Sequence, residues 1–229
     1  MRGAIDGAEK SGDCKISAMT SFACVLAAYL LGSISFGIVS SWIFRLPDPR
    51  SYGSGNPGAT NVLRSGRKAA AVVTLLGDAA KGLVAVLLAR HFAPALGLGT
   101  ATVAASGLAV FLGHVYPIYF RFKGGKGVAT ALGVLLGLDP WLAMVGLAVF
   151  IVAVSLSRYA SLASMAAAVA IAGLAPIRLD WSWSAAAVIG IAALVVWRHQ
   201  ANIQRLREGT ESKIKFRRSE APPADPAPR

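Results

Sequence analysis

The sequence predicts an all-α polytopic membrane protein of about seven transmembrane helices, with the N-terminus outside and the C-terminus cytoplasmic. Three observations carry this. Only 15% of the 229 residues are charged and 55% are hydrophobic, against roughly 25% charged in an average soluble domain. The apolar residues come in long runs: residues 16–44 and 92–120 hold no Asp, Glu, Lys or Arg, and about 18 such residues suffice to span a bilayer. The basic residues are unevenly placed, and they favour cytoplasmic loops. This composition disfavours a cytosolic enzyme, a coiled coil and a disordered chain.

Residues 1–17 are polar and mixed in charge and read as a mobile extension. The apolar run behind them is too long for a signal-peptide core, so no cleavage is expected. The expected spans are 18–44, 69–90 (interrupted by Asp78 and Lys81), 96–120, 140–157, 159–177 and 181–197. The stretch 127–138 ends at Asp139-Pro140 and is short for a crossing at about 1.5 Å per residue. It is a re-entrant helix, or a crossing that starts back in the preceding Gly-rich loop. Charge chooses between them. With seven crossings, 17 of the 23 Lys and Arg fall on one side and 5 on the other, with Lys81 inside a span. Six crossings spoil this asymmetry. The membrane domain is therefore 18–215, followed by a Pro-rich tail, 216–229, with nothing to fold around.

A net charge of +12 would point to nucleic acid in a soluble protein. Here the cations flank apolar spans, so membrane lipid is expected and nucleic acid is not. Cys14 and Cys24 make neither a disulfide framework nor a metal site.

Three polar segments on the predicted cytoplasmic face can carry chemistry. The first, 50–64, holds Gly53, Gly55 and Gly58 in G-x-G-x-x-G spacing. Pro47, Pro49 and the flanking spans exclude a dinucleotide fold. The physics of the spacing remains: glycines let backbone N–H groups converge on an anion, and a helix start adds favourable partial charge. Ser54, Asn56, Thr60 and Asn61 supply neutral donors, and Arg50 and Arg64 supply charge. An isolated loop of this kind is also ordinary turn sequence. The second, 121–130, carries Lys123-Gly124-Gly125-Lys126-Gly127. It is not a Walker A loop, because Gly127 stands where Ser or Thr should follow the lysine. Alone it would read as a basic loop touching lipid headgroups. Two Gly-rich cationic loops on one face favour a phosphate site. The third follows the last span: His199, Asn202 and Arg205 share a helix face, and a histidine there could serve a phosphate, carry a proton, or cap the helix.

Ser161 and Ser164 also share a face, next to Arg158. Membrane serines more often pack helices, although the neighbouring arginine raises a substrate role. Asp78 and Lys81, spaced i, i+3, can pair with each other. Intramembrane charges default to function, yet mutual pairing explains these two structurally. His114 is open between packing and site.

Gly32-Ser33-Ile34-x-Phe36-Gly37, the 53–64 loop, Asp78-x-x-Lys81-Gly82, Gly113-His114-x-x-Pro117 with the 123–130 loop, Arg158-Tyr159-x-Ser161-Leu162-x-Ser164, and Arg198-His199-x-x-Asn202-Ile203-x-Arg205-Leu206 together resemble the bacterial acyl-phosphate:glycerol-3-phosphate acyltransferases, the PlsY family. The resemblance covers about 25–215. It implies an inner-membrane enzyme that moves a fatty acyl group from acyl phosphate to glycerol 3-phosphate. The product would be lysophosphatidic acid, the first step of phospholipid synthesis. It also implies seven helices, and Ser54, Arg64, Lys126, Ser164, His199 and Asn202 as phosphate and substrate contacts. We take Lys126, Arg64, His199 and Asn202 as the expected catalytic residues. Gly53, Ser54, Gly55, Asn56, Gly58, Thr60, Asn61, Lys123, Ser161 and Ser164 are the expected substrate-binding residues. The expectation includes no metal or cofactor, a monomer, and a site facing the cytoplasm. Pro57 departs from the family's usual Ile or Val and removes one N–H donor.

The chemistry is compatible. An acyl phosphate is a mixed anhydride with a good leaving group, so positioning and charge can suffice. No histidine here has an Asp five residues on; Leu96, Tyr119 and Gln204 stand there. The His-x₄-Asp base of thioester-using acyltransferases is thus missing, which favours acyl phosphate as donor and a substrate phosphate oxygen as proton acceptor. The competing reading is a transporter of a phosphorylated small molecule. It would need repeated halves with helices broken at the midplane, and no such repeat is evident. A non-enzymatic scaffold leaves both cationic loops unexplained.

Overall fold

The computed structural model describes the backbone of residues 2–214 and side chains from Ile16 to Ile214. The expected disordered tail lies outside the described residues, as do most side chains of the N-terminal extension. Among the described residues all regular structure is helical: α1 (Arg2–Gly32), α2 (Phe36–Ile43), α3 (Ala59–Val62), α4 (Lys68–Ala95), α5 (Thr100–Val115), α6 (Val128–Leu138), α7 (Pro140–Ser157), α8 (Ala160–Arg178), α9 (Trp183–Trp197) and α10 (Gln200–Arg207), with single 3₁₀ turns at Leu63–Ser65 and Ile118–Phe120.

Among the described residues four helices are long and apolar enough to cross a membrane: α4, α5 with its following turn, α7 and α8. Two bent pairs raise the number to six: Ile16–Gly32 with α2, bent by 41°, and α9 with α10, bent by 48°. The expected single span over 18–44 is thus broken at Ser33–Ser35. The freed carbonyl of Ile34 accepts from Lys81 Nζ at 2.6 Å, which supplies the partner that lipid cannot.

The 11 residues of α6 reach only about 17 Å, yet α6 is the centre of the bundle. Val134 is fully buried, against Val86 of α4, Val110 and Phe111 of α5 and Val195 of α9. It runs parallel to α4, and glycines permit the approach. A Cβ on Gly82 would strike the Thr130 carbonyl, and one on Gly133 would strike the Ala79 carbonyl. Small residues at a crossing let membrane helices associate by close backbone packing. Gly32 and Gly113 do the same for α1 against α5. A second cluster, Leu142, Ile171, Ala175, Ala185 and Val188, joins α7, α8 and α9.

Where α6 ends, Arg90 Nη1 donates to the Gly137 carbonyl at 2.7 Å. Asp139 caps α7 by accepting from Leu142 N at 3.0 Å, with Pro140 in the first helical turn, where its missing N–H costs nothing. Arg178 Nε reaches Asp139 Oδ2 at 3.0 Å. Trp141, Trp181 and Trp183 are exposed at this end, the position aromatic residues take at membrane interfaces. The outward faces of α4, α7 and α8 carry Leu76, Ile151, Leu156 and Val169 exposed, as a lipid-facing surface requires.

Candidate active site

The functional segments meet at the opposite end of the bundle. The first loop is folded around Asn61, which is buried at 2% exposure. Its Oδ1 accepts from Ser54 N at 2.9 Å, and its Nδ2 donates to Pro49 O at 2.7 Å and Tyr52 O at 3.1 Å. Both amide hydrogens are therefore spent on the loop itself, and Asn61 acts as its fastener. Gly53 and Gly55 have φ of +60° and +67°, where a side chain would be strained. Ser54, Gly53, Gly55 and Thr60 lie exposed, while Asn56 and Gly58 are half-buried. The expected helix behind the loop is a single turn, α3. Pro57 is buried, and its carbonyl would be hit by a Cβ on Gly37. The first loop is thereby seated on α2.

The two loop arginines differ. Arg50 is tied to Asp48, with Nε at 3.0 Å from Oδ1 and Nη2 at 2.6 Å from Oδ2. Its guanidinium also lies 5.6 Å from the Phe120 ring centre, beside the second loop. Arg64 makes no ion pair among the described residues and is exposed.

Lys126, half-buried in the second loop, donates through Nζ to Asn202 Oδ1 on α10. Its pKa is lowered to about 8: burial disfavours the charge, Glu211 favours it, and the fields of Arg205, Arg198 and Arg64 disfavour it. One lysine thus senses arginines from the first loop and from the third segment. Lys123 is exposed. The next residue in the loop after Lys126, Gly127, has φ +79° and opens α6.

In the third segment, His199 is buried at 2% exposure, and its Nδ1 lies 2.7 Å from the Val195 carbonyl. Donation there leaves Nε2 unprotonated. Burial, then the Lys126 charge, lowers the His199 pKa to about 4, so the ring is neutral at pH 7. Asn202 and Arg205 project from α10 onto Glu211: Asn202 Nδ2 to Oε1 at 2.6 Å and Arg205 Nε to Oε2 at 2.7 Å. Ser161 donates to the same Oε1 at 2.7 Å. Ser164, although on the same helix, donates back to Ala160 O at 2.8 Å.

Glu211 is the residue that sequence reasoning missed. It stands two residues after Gly209 in a basic segment, and only its place among cations hints at it. Burial opposes its ionisation, but the hydrogen bonds from Ser161, Asn202 and Arg205 prevail and hold its pKa below the usual carboxylate value. The segment carrying it docks on the turn between α7 and α8, where Ile214 N donates to the Arg158 carbonyl at 2.8 Å.

A helical membrane bundle in which Arg64, Arg198 and Arg205 lie in the field of Lys126, with Glu211 paired to Arg205, defines an integral membrane protein with a cluster of cations at one end. The sequence matches the family described as glycerol-3-phosphate acyltransferase over residues 22–209. The glycerol-3-phosphate acyltransferase of Nitrosospira multiformis is 52% identical over 196 residues, 86% of this chain and 97% of that one. That of Laribacter hongkongensis is 54% identical with the same coverage. Two crystal structures of PlsY (YgiH), an integral membrane glycerol 3-phosphate acyltransferase, are similar in fold. The glycerol 3-phosphate form superposes with a TM-score of 0.79 at 38% identity, and the lysophosphatidic acid form with 0.77 at 37%, each covering 86% of this chain and 96% of the other. The chain belongs to the glycerol-3-phosphate acyltransferase family.

Proposed function

We propose that this protein transfers a fatty acyl group from acyl phosphate to glycerol 3-phosphate, in the inner membrane of a bacterium and at its cytoplasmic face. It acts as a monomer without metal or cofactor. The carrying observation is the convergence of Arg64, Lys126, Arg198 and Arg205 on a site with one carboxylate, Glu211. Two substrate phosphates repel each other, and a surplus of fixed cations is what holds both.

The roles follow from exposure. The open first loop, with Gly53, Ser54, Gly55 and Asn56 near the exposed Arg64, grips the acyl phosphate head. Gly58 and Thr60 border it, and Asn61 shapes it from within. Lys126, Asn202 and His199 hold glycerol 3-phosphate, with Ser161, Ser164 and Lys123 around them. The glycerol hydroxyl oxygen attacks the acyl carbonyl carbon, and the carbon–oxygen bond to phosphate breaks. The hydroxyl proton passes to the departing phosphate, because neutral His199 at a pKa of about 4 is a weak base. Lys126 and Arg64 stabilise the charge that develops.

Seven crossings, with the N-terminus outside, follow if α6 counts as one. Two features support this. The loop before α6 lies at the same end as α10, and α6 ends beside Arg90, Arg178 and the exposed tryptophans. Purified protein given glycerol 3-phosphate with palmitoyl phosphate, or with palmitoyl-CoA, tests the function. Turnover is expected with the phosphate alone and is unchanged by a chelator. Equal turnover of both donors removes the reason for assigning the first loop to the donor phosphate.

A further inference from the structure

The proposed reaction uses Lys126 but leaves unexplained what lies beneath it. Asp78 and Lys81 on α4 and His114 on α5 are 2%, 2% and 6% exposed. Charge balance accounts for the first two: Lys81 Nζ lies 2.8 Å from Asp78 Oδ1 and also serves the Ile34 carbonyl. A pair of that kind needs no histidine. His114 is there nonetheless, with Nδ1 at 3.3 Å from Asp78 Oδ1 and 3.2 Å from Thr130 Oγ1. These two contacts fix the ring so that Nε2 points at the second loop.

There the fit is close on two sides. The His114 carbonyl accepts from Gly125 N at 3.2 Å. A Cβ on Gly124 would strike that carbonyl, and one on Gly125 would strike Nε2 of the ring. Neither glycine has a positive φ, so backbone conformation does not demand glycine here. At Gly124 the carbonyls of His114 and Val115 and the Pro117 ring exclude a side chain, and at Gly125 the His114 ring alone does so. The next residue is Lys126.

We propose that His114 is a positioning residue for acyl transfer: oriented by Asp78 and Thr130, it forms the floor on which Gly124 and Gly125 rest, and so sets where Lys126 presents its ammonium. The inference rests on the assignment of Lys126 to substrate. It gives the buried pair a use beyond mutual compensation, since Asp78 Oδ1 stands against Nδ1 of the ring while Lys81 pairs with it. The same pair reaches the α1–α2 break through Ile34, and α2 seats the first loop through Gly37. One buried set therefore underlies both loops.

A double-mutant cycle on kcat tests this. Gly125→Ala in the otherwise unchanged protein should lower kcat by about tenfold or more, because a misplacement of about 1 Å can cost up to about a hundredfold. With the ring removed by His114→Ala, adding Gly125→Ala should cost less than about threefold more, as coupled neighbours do. Costs that multiply overturn the proposal. His114→Asn keeps a polar partner for Asp78 and Thr130 while emptying the space under Gly125, and so preserves folding. In it, the pH at which the Lys126 amine becomes half-reactive to an acylating label, read by mass spectrometry, should rise from about 8 toward 10.5, because a loosened loop hydrates the amine. Glu211, Arg205, Arg198 and Arg64, which face Lys126, remain in place. An unchanged midpoint overturns the proposal as well. The labelling reads the loop without turnover. A wild-type protein that lacks acyltransferase activity would therefore sink the functional reading alone, and the positioning role would still be decided.

Discussion

Lys126 donates to Asn202, 76 residues further along the chain. This one bond joins the second loop to α10 and closes the site between segments that are remote in sequence. Asn202 in turn holds Glu211, so the lysine, the amide and the carboxylate form a chain.

In the proposed role Lys126 must be protonated to hold phosphate, and its pKa of about 8 results first from burial. Glu211 offsets this in part, and Arg205, Arg198 and Arg64 reinforce it. Since the pKa lies below the ordinary lysine value, the charged form is lost as pH rises through about 8. We predict that kcat/KM for glycerol 3-phosphate falls above that pH, because this ratio reports groups on the free enzyme. Lys126→Arg should move the fall beyond about pH 10, since guanidinium stays charged, with a lower rate at pH 7 because a planar fork does not replace a compact ammonium. A wild-type profile flat to about pH 9.5 would refute the assignment.

Arg50 and Arg64 are sequence equivalents that the structure separates. Arg50 is neutralised by Asp48, and Arg64 has no carboxylate partner among the described residues. Arg64→Ala should cut kcat/KM by roughly ten- to a hundredfold, the loss of a charged hydrogen bond worth about 1.5–3 kcal/mol. Arg50→Ala removes an exposed pair worth about 0–1 kcal/mol and should cost less than about threefold. Steady-state kinetics on both variants, with acyl phosphate varied, decide it. Equal losses would mean that Arg50 leaves Asp48 to bind substrate.

What the sequence made legible was periodic or cumulative. The apolar runs located α4, α7, α8 and α9 to within a few residues, because burial in lipid demands length and lipid demands apolarity. Of the three residues expected to share a helix face, Asn202 and Arg205 stand together on α10 over Glu211, whereas His199 caps the helix and its ring turns back to Val195. What was not legible depended on distant contacts. The break at Ser33–Ser35 is stabilised by Lys81, 47 residues away, and nothing local announces it. Ser161 and Ser164 share a helix face, yet one reaches Glu211 and the other its own backbone. Asn61 read as a donor for substrate, but its amide is consumed in shaping the loop. Glu211 was overlooked because its significance lies in three partners, one on α8 and two on α10.

Glu211 provides an acid-dependent test. Its pKa is held below the ordinary value of 4.5 by Ser161, Asn202 and Arg205 against the effect of burial. A carboxyl group whose pKa is depressed on folding stabilises above its unfolded value, and that contribution fades as pH falls through the folded value. The wild-type protein in detergent should therefore keep its melting temperature from neutral pH to about 5 and lose it below about pH 4.5. Glu211→Gln should melt lower at pH 7 and show a flatter acid limb. Its KM for glycerol 3-phosphate should rise more than kcat falls, because the glutamine keeps one acceptor oxygen and turns an NH2 donor toward the other of Asn202 and Arg205. An acid limb identical in the two proteins would show that other carboxylates govern it.

The α4–α6 crossing predicts opposite signs for one substitution at different glycines. In an open helical position, Gly→Ala relieves backbone entropy and stabilises by roughly 0.5–1 kcal/mol. Gly173 in α8 and Gly190 in α9 are such positions, with nothing within 4 Å of the added methyl. At Gly133 the methyl would meet the Ala79 carbonyl on α4. The obstacle is backbone, so neither helix can yield by a rotamer change, and overpacking of this kind costs about 1–3 kcal/mol. Separation of the helices would also tilt α6, whose first turn follows Lys126 directly, so activity should fall with stability. We expect Gly133→Ala to lower the melting temperature in detergent by about 5 °C or more and to reduce turnover. Gly173→Ala and Gly190→Ala should leave turnover intact and hold or raise the melting temperature. If Gly133→Ala melts with the other two, α6 does not bear on α4 through this glycine.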